Sequence, residues 1–209
     1  MNQSKKQAIL VVSFGTSYNA TRKVTIDAIE GDIAKAYPEY QIYRAWTSKM
    51  IIAKLKKRDQ THIFTVKEAM EKMAEDGITD VIVQPTHVIN GIENDQMKED
   101  ALSCRSQFHS IRFGAPLLTT EEDNRAVIQA IAQEFSELQE DEVLVFMGHG
   151  TTHYANSVYA ALDYMFKDLG HKNIFLGTVE AYPSMQSLLR MVKEYSPKKV
   201  ILAPFMIVA

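Results

Sequence analysis

Val143-Leu144-Val145-Phe146-Met147-Gly148-His149-Gly150-Thr151-Thr152-His153 is the stretch whose reading decides the fold. A continuous apolar run that stops at glycine is a strand buried on both faces, as in parallel sheets. Its end in Gly-His-Gly places an imidazole at the carboxyl edge of such a sheet, where open α/β sheets take their ligands. The two glycines clear space around His149, so something large and flat can approach it. An imidazole there can ligate a transition metal or accept a proton near neutral pH, and both readings stay open at this point. The plain alternative is a core histidine satisfied by backbone.

Outward from this stretch, apolar runs alternate with helix-period segments. Strands are expected at Ala8–Ser13, Gln41–Ala45, Asp80–Gln84, Ser110–Phe113, Glu142–Met147, Asn173–Val179 and Lys199–Ala203. Helices are expected between them. One runs from a cap at Asn19 or Thr21 to Ala36, and Ser48 opens another over Met50–Lys57. Thr65-Val66-Lys67-Glu68 has the spacing of a capping box, with a stop at Gly77. Further helices follow Glu93 and cover Glu121–Leu138, Tyr154–Asp168 and Ser184–Tyr195. Strands separated by helices mean βαβ crossovers and parallel sheets, so the class is α/β.

The pattern restarts. Val12-Ser13-Phe14-Gly15-Thr16-Ser17 lines up with Met147-Gly148-His149-Gly150-Thr151-Thr152, setting Phe14 against His149. Asp80–Pro85 lines up with Lys199–Pro204, and Ile42–Trp46 with Leu176–Glu180. Three matches in one order suggest two similar halves, residues 1–138 and 139–209, although any two βαβ units share a broad likeness. On this alignment the second half lacks counterparts of the loop, helix, strand and helix that follow Pro85, so an incomplete second domain is expected. Such a half leaves a sheet edge and apolar faces open, and self-association into a homo-oligomer is expected with it.

Composition narrows the function. The 209 residues are 46% hydrophobic with net charge -3 and no basic stripe, which excludes a disordered chain and argues against nucleic-acid binding. The run Lys54-Leu55-Lys56-Lys57-Arg58 reads as a solvated helix end. A single Cys104 excludes an internal disulfide and a Cys-ligated cluster. No apolar run reaches the ~18 residues of a membrane span, and no signal-peptide core follows the polar start. A cytoplasmic protein is the expectation. No phosphate loop, dinucleotide fingerprint, hydrolase elbow or H-E-x-x-H pair is present.

Glu180 follows the strand that ends at Val179, so it is expected near His149, where it can share a metal ion or orient the imidazole; otherwise it is a helix-start carboxylate. His87 and Glu93 flank Asn90-Gly91 after the third strand and are candidate substrate-binding residues or ordinary loop residues. His153, one helical turn beyond His149, is a cleft candidate. Ser13 and Phe14, in the loop before the first helix, and Arg44 are further substrate-binding candidates. His62, His109, His171 and Asp163 read as surface residues, and the methionines as core filling.

At these residues the chain resembles the class II chelatases, in particular the anaerobic sirohydrochlorin cobaltochelatases of cobalamin biosynthesis. The resemblance rests on Leu10–Tyr18, Arg44–Ile52, His87–Gly91, Gly114–Leu118, Val145–Gly150, Val179–Pro183 and Pro204–Ala209, which span the chain in order. It implies two Rossmann-like domains facing a cleft that holds a tetrapyrrole. It implies a metal held by a His, a Glu and a second His: the first matches His149, the Glu matches Glu180, and the second His belongs to a stretch beyond Ala209. It further implies Co²⁺ as the substrate ion, with Fe²⁺ or Ni²⁺ as alternatives, and no organic cofactor. His149 is then both metal ligand and general base. A related ferrochelatase, or a non-catalytic tetrapyrrole or metal carrier, are the competing readings.

Overall fold

The computed structural model describes residues 6–208. Among the described residues seven strands alternate with helical segments, as expected, and the α-helices number eight. In the first part, β1 (Gln7–Ser13), β2 (Gln41–Trp46), β3 (Asp80–Pro85) and β4 (Ser110–Phe113) form a parallel sheet in the order β2-β1-β3-β4. Helices α1 (Asn19–Val24), α2 (Ile26–Ala36), α3 (Lys49–Asp59), α4 (Val66–Glu75) and α5 (Ile92–Ser103) make its connections. In the second part, β5 (Glu142–Gly148), β6 (Ile174–Thr178) and β7 (Lys199–Pro204) form a parallel sheet in the order β6-β5-β7. It carries α6 (Glu121–Glu134), α7 (Ser157–Asp168) and α8 (Met185–Tyr195).

Local chemistry sets the boundaries. Thr65 accepts from Glu68 N while Glu68 accepts from Thr65 N, the expected capping box, and Thr120 with Asp123 builds a second one at the start of α6. Ser48 caps α3, accepting from Ile51 N at 3.4 Å. The helix expected from Asn19 to Ala36 breaks at Thr25, whose hydroxyl donates to Thr21 O at 2.7 Å and competes with the helical ladder.

The described residues divide into two compact units, 6–116 with Val208, and Leu117–Ile207. The division falls at Pro116 rather than after Leu138. The reason is that α6 packs with the second unit: the Phe135 ring meets Phe146 of β5 edge-on at 6.0 Å, and Asn124 reaches Met165 of α7. In the first unit, β1 buries Leu10 and Val12 against Val66, Met70 and Met73 of α4, while Ile26, Trp46, Leu55 and Ile63 form a separate cluster. In the second, Val143 and Val145 of β5 pack with Leu188 and Val192 of α8, and the alternate residue Phe146 joins the aromatic set. Both faces of each central strand are therefore apolar, which is why the strands read as unbroken hydrophobic runs.

The two sheets repeat one register. Val12 pairs with Pro85, and Met147 with Pro204, so Val12 and Met147 are equivalent, as the alignment has it. Ser13 pairs with Trp46 and Gly148 with Thr178, so Trp46 corresponds to Thr178. The third sequence match, which set Trp46 against Glu180, is thus two residues out of register. Glu180 is the counterpart of Ser48, and identical backbone bonds prove the point: Ser48 N donates to Phe14 O at 3.1 Å, and Glu180 N to His149 O at 3.0 Å.

Candidate metal-binding site

The site is built on the loop after β5 and the loop after β6, both in the second unit. Gly148 O accepts from Val179 N at 3.0 Å, which extends the β5–β6 pairing past the strand ends. Gly150 has φ 86° and lies so close to the neighbouring loop that a Cβ would sit 2.9 Å from Ala181 N. Both the left-handed backbone and the contact demand glycine here. Gly15, its counterpart, has φ 99° and lies against the Trp46 ring.

This zip sets His149 beside Glu180, with Nδ1 3.8 Å from Oε2; the two side chains are 66% and 63% exposed, so both are open to a ligand. His149 Nδ1 lies 3.0 Å from Gly150 O. A carbonyl can only accept, so Nδ1 carries the hydrogen and the Nε2 lone pair of the neutral ring is left for a metal ion or a proton. Glu180 adds anionic oxygen beside the same ring, on its Nδ1 side. Imidazole with carboxylate suits a divalent first-row ion. Among the described residues, no third His, Cys, Asp or Glu joins them.

The same two loops carry exposed aromatic residues. Tyr154 is 84% exposed, with the His153 ring tilted over it at 4.0 Å, and Tyr182 is 66% exposed. The sequence reading singled out neither tyrosine; its one available signal was their position, one residue beyond His153 and two beyond Glu180. His153 has a local duty as well: its Nδ1 accepts from Ala155 N at 3.1 Å and caps the turn at Tyr154–Asn156.

The other candidates lie in the first unit. Phe14 occupies the place that His149 holds in the second sheet and is 42% exposed. Ser13 is buried, and its hydroxyl accepts from Thr86 at 2.9 Å. It ties the β1 and β3 ends together. Arg44 is engaged by its neighbouring helix. Its guanidinium is committed to Glu30 and Asp27 of α2, which hold it charged and in place over β2. Glu93 sits in the first turn of α5, where a carboxylate complements the helix dipole. His87 lies behind it, and neither of its ring nitrogens has a hydrogen-bond partner. Burial pushes its pKa down to about 4 against the opposing pull of Glu93, so it is neutral at pH 7. Asp163, expected on the surface, is mostly buried: it accepts from Leu176 N at 2.7 Å and pairs with Lys167. It closes an outward backbone donor on the β6 edge.

Two parallel α/β units, one carrying an imidazole and a carboxylate side by side beyond its strand ends, define a Rossmann-like protein that handles a divalent metal. The family described as Cobalt chelatase (CbiK) matches residues 7–209, and the chain belongs to that family. It is 39% identical over 204 residues to a sirohydrochlorin cobaltochelatase of Salmonella typhimurium, covering 98% of this chain and 77% of that protein. It is 29% identical over 208 residues to the sirohydrochlorin cobaltochelatase CbiKC of Nitratidesulfovibrio vulgaris, covering 96% of this chain and 71% of that one. No helix among the described residues is long and apolar enough to cross a membrane.

Proposed function

We propose that the chain inserts Co²⁺ into sirohydrochlorin, with His149 and Glu180 delivering the ion. The observation that carries the assignment of residues is the His149–Glu180 pair, exposed beyond the β5 and β6 ends with Nδ1 engaged by Gly150 O. Insertion exchanges two pyrrole N–H protons for one divalent ion. The Nε2 lone pair of His149 can hold Co²⁺ or accept one of those protons, and Glu180 offsets the ion's charge beside it. His149 and Glu180 fill only part of the ion's coordination, which leaves positions for a further ligand and for the incoming macrocycle nitrogens, as suits a substrate ion that must leave. Tyr154 and Tyr182 offer flat faces to a tetrapyrrole next to the pair. On the first sheet Phe14, His87 and Glu93 remain proposed tetrapyrrole contacts, since they too follow strand ends.

An imidazole–carboxylate pair does not by itself choose strongly among Fe²⁺, Co²⁺ and Ni²⁺, whose affinities rise in that order. The metal is therefore proposed from the family, and no organic cofactor is invoked. The single cysteine, Cys104, is free and buried, which supports a reducing, cytoplasmic setting. A homo-oligomer is proposed as well; a single monomeric species in sedimentation velocity refutes that part.

The test is the absorbance change of sirohydrochlorin on mixing with Co²⁺, Fe²⁺ or Ni²⁺, for the chain and for His149→Ala. Repeated turnover with Co²⁺ that His149→Ala abolishes is the expected result. Stoichiometric binding without turnover overturns the enzyme reading in favour of a carrier. Turnover unaffected by His149→Ala overturns the role of His149.

A further inference from the structure

We infer that Asn156 is a positioning residue that sets the spacing of His149 and Glu180; the inference rests on the reading of that pair as the metal-holding group. The backbone zip between the two loops ends at Glu180 N and His149 O. Beyond that bond Gly150 still lies against Ala181, and the side chain of Asn156 then links the two loops. Asn156 Oδ1 accepts from Thr151 N at 3.1 Å, two residues after His149. Its Nδ2 donates to Tyr182 O at 2.6 Å, two residues after Glu180.

The chemistry of the amide is what this place requires. Thr151 presents a donor and Tyr182 an acceptor, so the bridging group needs an acceptor and a donor on one short stem. Asparagine supplies both. Asp keeps the first bond but sets oxygen against oxygen at Tyr182, and Ala loses both. His149 and Glu180 are each more than half exposed, so packing around their side chains does little to hold them. Their relative position depends on the two backbones from which they project. Hydrogen bonds behind metal ligands typically govern metal affinity or activity by about 10–100-fold. Asn156 holds those backbones through Thr151 and Tyr182 and not through either ligand.

Co²⁺ binding, followed by titration calorimetry and by the ion's visible absorption, tests this on the full chain, His149→Ala, Asn156→Ala and Asn156→Asp. We expect His149→Ala to abolish binding and both Asn156 variants to weaken it about 10-fold with an altered Co²⁺ spectrum, while their urea midpoints stay near that of the parent. The sign for Asn156→Asp discriminates: an added negative charge near the ion tightens binding by attraction alone, whereas lost positioning weakens it. This variant also carries the test if Asn156→Ala does not fold. Unchanged or tighter binding in Asn156→Asp, with His149→Ala still defective, overturns the role of Asn156 and leaves the pair intact. Unchanged binding in His149→Ala overturns the pair, and the role of Asn156 falls with it.

Discussion

Replacing His87 by leucine turns an unusual burial into a measurable pH dependence. His87 follows β3 with both ring nitrogens shut away from water and without a hydrogen-bond partner. Burial lowers its pKa to about 4, the Glu93 carboxylate opposing the shift. In the unfolded chain the value is about 6.5. The native state thus refuses a proton that the unfolded state takes up. The contribution is fully present above pH 6.5 and is lost as the pH falls towards 4. A gap of about 2.5 units corresponds to about 3 kcal/mol, of which about 2–3 kcal/mol is gone by pH 4.5. Leucine cannot titrate and removes two orphaned polar atoms, so at pH 7.5 the variant is expected to match or exceed the parent by about 1 kcal/mol. Urea unfolding of both proteins at steps between pH 7.5 and 4.5 gives the comparison. The parent must fall behind the variant progressively below pH 6.5. Parallel stability curves across that window refute the argument.

Gly150→Ala forces a side chain into a left-handed position 2.9 Å from Ala181 N, so it is expected to cost about 1–3 kcal/mol in urea unfolding and to reduce cobalt insertion by spreading His149 and Glu180. A variant with normal turnover shows that the loop spacing is not needed. Asp163→Ala strands the Leu176 N–H and the half-buried Lys167 ammonium, and a loss of about 2–4 kcal/mol is expected by the same method. A loss under about 1 kcal/mol shows that water replaces the carboxylate. Thr65→Ala removes one arm of the α4 capping box and is expected to lower stability by about 1 kcal/mol while leaving Co²⁺ binding unchanged.

The sequence by itself determined what neighbouring residues decide. The apolar runs at Val143–Phe146 and Ile9–Val12 become central strands because parallel strands are buried on both faces, and the box at Thr65–Glu68 starts its helix because both its bonds close within one turn. Gly-His-Gly at a strand end and Glu180 after the next strand were enough to bring the pair together, since βαβ geometry delivers both to one sheet edge. Tertiary structure decided the rest, because the deciding partners are far apart in the chain. Sheet register, not local likeness, made Glu180 the counterpart of Ser48. Arg44 found Glu30 and Asp27 on another element, a pairing that no local pattern announces. Helix α6 joined the second unit through Phe146, and Asn156 gained its place only when Tyr182 came within reach of its amide. Periodicity and caps act over a few residues, whereas the commitment of a polar side chain depends on which distant group packing brings to it.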